Sequence, residues 1–146
     1  VERIISQMLS GKTVELGDPK LVRDLVFIDD HINAYLSCLN NEKSIGEILN
    51  FCTSVGTSIK QLAETIAKLT QFQGEVFWNT IPERPLDIQI LVGDYRKAQR
   101  LVGWKPRFTL EEGLKATVEH WKNLSIGGLE QVQPQSADLL TLKVPN

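Results

Sequence analysis

Cysteine and histidine are scarce in this 146-residue sequence: Cys38, Cys52, His31 and His120 are the only ones, and no metal-ligand spacing exists among them. Neither a disulfide framework nor a zinc site is expected, and a reduced, cytoplasmic protein follows. No apolar run is long enough to cross a bilayer, and no charged leader precedes a cleavage site, so neither a membrane span nor a signal peptide is indicated. An excess of one charge is also lacking, since 16 Lys and Arg against 18 Asp and Glu leave a net charge of -2. Without a basic field nucleic acid is a poor partner, and any anion must be met locally by individual arginines. There is no internal repeat and no low-complexity block. The first residue is Val1 rather than methionine, which suggests a piece of something longer.

What is present suits one ordinary domain able to bury a core without metal or disulfide support. Val1, Ile4, Ile5 and Met8 fall at helical spacing before Gly11. Residues 13–16 alternate, placing Val14 and Leu16 on one face of a strand that ends in the turn Gly17-Asp18-Pro19. Residues 22–28 read as a mostly apolar strand running into a helix capped by Asp29 or Asp30, with Ile32, Tyr35, Leu36 and Leu39 as its buried stripe. Residues 48–52 read as a buried strand. Ser58 with Gln61 forms a capping box for a helix reaching Thr70, with Ile59, Leu62, Ala63, Ile66 and Leu69 inward. Residues 75–78 and 88–92 are further strands, the second with Ile88, Ile90 and Val92 on one face. Asp94 can cap a helix over 95–102 that Gly103 closes. Thr109 with Glu112 is a second capping box, opening a helix with Leu110, Leu114, Val118 and Trp121 inward and a periodic signal ending near Asn123. Residues 125–135 have linker composition, and Leu139, Leu140, Leu142 and Val144 leave room for one small element. The expected fold class is mixed α/β, a few short strands with helices packed on them.

Arg84 stands in Pro82-Glu83-Arg84-Pro85, where proline on either side holds the backbone extended and leaves its guanidinium displayed. A displayed guanidinium suits a phosphate. Around it the sequence carries Arg84-Pro85-Leu86-Asp87, Asp94 followed by Lys97-Ala98, and Gly103-Trp104-Lys105-Pro106. Upstream stand Arg23-Asp24 before an apolar stretch and Asp29-Asp30, then Leu49-Asn50-Phe51-Cys52-Thr53 and Ser58-Ile59. In this order they resemble the C-terminal part of the extended short-chain dehydrogenase/reductase family, the NAD(P)-dependent nucleotide-sugar epimerases, dehydratases and reductases. The wording is nearest to GDP-mannose 4,6-dehydratases and 4-keto-6-deoxy-hexose reductases.

The resemblance covers residues 1–123 and implies a nucleotide-sugar-binding domain there, with 124–146 as a linker-like tail. It implies that Arg23 and Arg84 reach the diphosphate of a nucleotide sugar and that Asp87 lies near the nucleoside ribose. Arg23 could instead pair with the adjacent or a facing carboxylate, and Asp87 could be a plain turn-forming residue. No Gly-x-x-Gly-x-x-Gly or Gly-x-Gly-x-x-Gly occurs, and no Tyr-x-x-x-Lys: Tyr35 is followed four on by Leu39, and Tyr95 by Gln99. The implied fold is therefore the small substrate-binding domain without the Rossmann cofactor half, catalytically silent alone. No cofactor is expected in this chain, and NAD or NADP in the parent enzyme, which oxidises the hexose at C4 before epimerisation, dehydration or reduction. In the family the helix after Asp29-Asp30 and the strand at 48–52 belong against the dinucleotide-binding half. An isolated chain would bare that surface and is expected to hide it in a homodimer or by repacking its ends. The alternative is a non-catalytic binding or dimerisation module derived from the same scaffold. His31 reads as a partly buried neutral ring, Trp104 as a packing anchor, and Cys38 and Cys52 as small core residues. Phe77 and Trp78 should face opposite ways.

Overall fold

The computed structural model describes residues 1–39, 41–82 and 87–127. Its elements run α1 (Glu2–Leu9), β1 (Val14–Glu15), β2 (Val22–Asp24), α2 (Ile28–Leu39), a 3-10 turn (Glu42–Ser44), β3 (Gly56–Ser58), α3 (Ile59–Thr70), β4 (Val76–Phe77), β5 (Ile90–Leu91), α4 (Arg96–Val102) and α5 (Leu110–Gly127). β1 pairs in parallel with β4, Val14 opposite Val76. β2 is the middle of a three-stranded sheet, antiparallel to β3 and parallel to β5, which sets Arg23 between Thr57 and Leu91.

The main core lies where α1, α3 and α5 meet β1. Helical spacing puts Ile4, Ile5 and Met8 of α1, Leu62, Ala63 and Ile66 of α3, and Leu114 and Val118 of α5 on facing stripes, and all are buried with Val14 and Leu16. Each large side chain so enclosed contributes about 1.5–3 kcal/mol relative to exposure. Trp78 and Trp121 pack partly buried against the same core, while Phe77 points outward. Both expected capping boxes form. Ser58 Oγ accepts from Gln61 N at 3.1 Å while Gln61 Oε1 accepts from Ser58 N at 3.0 Å. At the other box Thr109 N donates to Glu112 Oε2 at 2.8 Å and Glu112 N to Thr109 Oγ1 at 3.3 Å.

A second, thinner layer joins α2, α4 and the segment 49–51. Ala34, Ala98 and Trp104 are buried there, with Leu49, Phe51, Tyr95 and Val102 around them. Gly103 takes φ +71, the left-handed turn that ends α4 and aims Trp104 inward. The Trp104 ring meets Phe51 edge-on at 5.0 Å, and its Nε1 donates to the backbone carbonyl of Asp30 at 3.0 Å. The Asp30 carboxylate, 1% exposed, accepts from Arg107 N at 2.9 Å and Phe108 N at 3.0 Å. Asp30 thus ties α2 to the chain entering α5.

Several expectations change here. α2 begins at Ile28, so Asp29 and Asp30 lie within its first turn instead of capping it. Its inner face is the narrow Asp30–Ala34 edge against Trp104; the expected buried stripe of Ile32, Tyr35, Leu36 and Leu39 is exposed, Leu39 by 76%. Residues 48–52 pair with no strand among the described residues, although Leu49 and Phe51 still turn inward and Ile48 is 85% exposed. The strand at 22–28 stops at Asp24, and that at 88–92 narrows to Ile90–Leu91. α4 starts at Arg96, and Asp94 bonds its first amide at 2.9 Å without occupying the cap position. α5 continues to Gly127, past Asn123. The element proposed for residues 139–144 lies outside the described residues.

Candidate functional site: a groove beside Arg23

An open groove of about 690 Å³ runs between α2, residues 49–52 and residues 91–93, with Arg23 and Asp24 of β2 at its floor. The middle-strand position gives Arg23 little freedom. Its Nη1 donates to the carbonyls of Val22 and Ile88, each at 2.8 Å, and its Nη2 to Asp87 Oδ1 at 2.8 Å. Among the described residues these bonds occupy three of the five N–H groups an arginine owns, leaving two for a ligand. The carboxylate facing Arg23 is therefore Asp87 and not its neighbour Asp24. With side chains 26% and 31% exposed, that pair is partly open to water and contributes only about 0–1 kcal/mol. A phosphate offering charge-assisted bonds of about 1.5–3 kcal/mol each can compete with it.

Of the three sequence-derived site residues, Arg23 and Asp87 are thus brought together. Arg84, in the segment 83–86, lies outside the described residues. Sequence reasoning missed two features. One is His31 with Tyr35, four residues apart on α2 and lining the groove, where His31 Nε2 lies 3.2 Å from Tyr35 Oη and the rings meet edge-on. Their i, i+4 spacing on one helix face was the available signal. The other is Asp24, whose carboxylate gathers donors from Thr53, Ser54 and Gly93. Those donors are backbone groups far off in sequence, which leave no signal.

Cys52 also lines the groove, and burial pushes its thiol pKa upward. A separate hollow of about 320 Å³ between Phe27, Phe108, Leu110 and Leu114 is lined by no Lys, Arg or His and suits no anion. No group of three potential metal ligands occurs among the described residues, and no described helix is long and apolar enough to cross a membrane.

At α3 and α5 the capping boxes occupy a first-turn amide each, and Asp29 and Asp30 stand in the first turn of α2. At α5 the cap is Thr109, and its hydrogen bonds to Glu112 hold the pKa of that carboxyl down.

Comparison with known proteins fits this geometry. The profile of the GDP-mannose 4,6 dehydratase family matches residues 1–117. GDP-6-deoxy-D-mannose reductase of Pseudomonas aeruginosa is 26% identical over 119 residues, covering 82% of this chain and 39% of the reductase. The crystal structure of UDP-glucose 4-epimerase from Thermotoga maritima with UDP-glucose superposes with a TM-score of 0.78 at 34% identity, over 84% of this chain and 39% of the epimerase. UDP-glucuronic acid 4-epimerase from Bacillus cereus in complex with NAD gives a TM-score of 0.74 at 26% identity, over 86% and 38%. The fold is that of one part of the enzymes it resembles. The chain belongs to the extended short-chain dehydrogenase/reductase family of nucleotide-sugar epimerases, dehydratases and reductases, and within it matches the GDP-mannose 4,6 dehydratase profile. It spans about two fifths of the length of these relatives.

Proposed function

We propose that this chain is the substrate-binding half of an NAD(P)-dependent nucleotide-sugar epimerase, dehydratase or reductase. Arg23 and Arg84 meet the nucleoside diphosphate, and Asp87 holds Arg23 until the ligand arrives and then lies beside the ribose. The observation that carries this reading is the Arg23 guanidinium, anchored by two carbonyls and Asp87 yet keeping two N–H groups for the groove among the described residues. NAD or NADP belongs to a cofactor-binding half that also brings the Tyr-x-x-x-Lys acid–base pair, because this sequence has neither that pair nor a glycine-rich fingerprint. When bound there, the nicotinamide supplies hydride chemistry. This half orients the sugar nucleotide against it, in the cytoplasm.

The same reading accounts for the bare side of α2. Ile32, Tyr35, Leu36 and Leu39 form the apolar face onto which the cofactor half docks. A second reading, a non-catalytic binding or dimerisation module, places another copy of this chain on that face. Co-expression with a cofactor-binding half separates them: a chain that leaves its own homodimer to bind that half is the substrate half, and one that stays a homodimer is the module. The binding test is calorimetric titration with GDP, UDP, CDP and dTDP. Affinity for one nucleoside diphosphate should fall roughly ten- to a hundredfold in Arg23→Ala and again in Arg84→Ala. Equal affinity in wild type and both variants would refute the assignment.

A further inference from the structure

We propose that Asp24 is a positioning residue: it fixes the spacing between the two walls of the groove and leaves its neighbour Arg23 free to meet an anion. The inference rests on the placement of the ligand's diphosphate at Arg23 argued above. One wall is the segment 49–52 and the other is 91–93; they are remote in sequence and share no strand ladder. Asp24, at the end of β2, reaches the chain just beyond the first wall and the last residue of the second. Its Oδ1 accepts from Thr53 N at 2.7 Å and Thr53 Oγ1 at 2.5 Å, and its Oδ2 accepts from Ser54 N at 2.9 Å and Gly93 N at 3.3 Å. Three of these donors are backbone amides, so the carboxylate holds main chain and thereby sets where the walls stand.

The surrounding packing leaves this arrangement no slack. A Cβ at Gly93 would lie 2.6 Å from Cys52 Sγ, and one at Gly56 would lie 2.7 Å from Val22 Cγ1 and 3.1 Å from Val92 Cγ2. Ser54 takes φ +59, a left-handed backbone unfavourable for a residue with a side chain, and its amide is one that Asp24 binds. Its Oγ in turn accepts from Tyr95 N at 3.4 Å, joining this turn to the start of α4. Such strain persists only where neighbouring contacts over-determine it.

The charge consequence is separate. Asp24 spends its acceptor capacity on three amides and the Thr53 hydroxyl, while the carboxylate bonded to Arg23 is that of Asp87. Arg23 is left with the weak, partly exposed Asp87 pair. Asparagine at position 24 keeps the size but turns an NH2 toward two of the donors, which releases one wall.

The test uses ¹⁵N–¹H spectra of the full chain as wild type, Asp24→Asn and Asp24→Glu, with GDP and UDP titrated into each. In Asp24→Asn the amides of Asn50, Phe51, Leu91 and Val92 and the Arg23 Nε–H should shift or broaden while those of α1, α3 and α5 stay in place. Nucleoside diphosphate affinity should fall roughly tenfold through the misplaced walls. Asp24→Glu, which restores the charge at the wrong reach, should not rescue it. Changes confined to Thr53, Ser54 and Gly93 with affinity intact would overturn the proposal, as would uniform loss of the α1–α3–α5 signals, the mark of a purely stabilising residue. If wild type binds neither nucleotide, the reading of Arg23 fails by itself, and the wall amides alone decide whether Asp24 sets the spacing.

Discussion

The α1–α3–α5 core and the α2–α4 layer start from similar amphipathic helices and end differently. In the first, every apolar stripe finds another: Ile5 and Ile66 are wholly buried and Val118 nearly so. In the second, only the narrow Asp30–Ala34 edge of α2 is covered, by Trp104 and its neighbours, while the broader stripe from Ile32 to Leu39 faces outward. A hydrophobic stripe states that a helix face is to be covered. It does not state by which chain segment. Here the described residues supply the cover for one group of helices and leave the other half-built, in a chain that spans about two fifths of its relatives' length.

The contrast breaks most sharply under truncation of paired positions. Ile66→Ala should cost about 2–5 kcal/mol in urea unfolding of the isolated chain, because the site is enclosed on all sides. Leu36→Ala, on the open face of α2, should change stability by no more than about 0.5 kcal/mol. Comparable losses at both sites would mean that α2 is covered in solution after all, by a second copy or by the chain's own ends. A smaller effect separates the layers at their junction. Asp30→Ala strips acceptors from the amides of Arg107 and Phe108 and should cost about 1–3 kcal/mol. Near-ultraviolet circular dichroism of Trp104 should change with it, since that indole donates to the backbone of residue 30.

The smallest effect concerns pH at the start of α4. Hydrogen bonds from Arg96 hold the Asp94 pKa down to about 2 from 3.8. Because the folded value lies below the unfolded one, whatever stability the contact gives is present above the ordinary aspartate range and is lost as pH falls toward 2. The carboxyl carbon of Asp94 should titrate near 2 in wild type and at higher pH in Arg96→Ala, which loses the guanidinium but keeps the backbone hydrogen bond. An unchanged midpoint in the variant would remove the ion pair as the cause.

How much of this was legible depended on distance along the chain. α3 was read from Ser58 to Thr70 because its capping box, its stripe and its length are all local. Gly103 and Trp104 were read for the same reason: one needs a left-handed backbone and the other follows it into the interior. For α2, spacing alone put the stripe inside, and only the family resemblance said that a chain without the other half would bare it, because burial depends on a partner that local spacing cannot name. Residues 48–52 failed similarly, since a strand is defined by the neighbour that shares its hydrogen bonds. At the groove, the pairing of Arg23 with a facing carboxylate was among the options, but the choice of Asp87 over Asp24 required the register of β2 with β5.

The unpaired segment 48–52 also bears on handling. An extended stretch carrying Ile48, Leu49 and Phe51, with no described strand alongside, is a template for adding strands from other molecules. Purified alone and concentrated, the chain should precipitate in a time- and concentration-dependent way that seeds accelerate, and, on the reading proposed above, co-expression with a cofactor-binding half should keep it in solution.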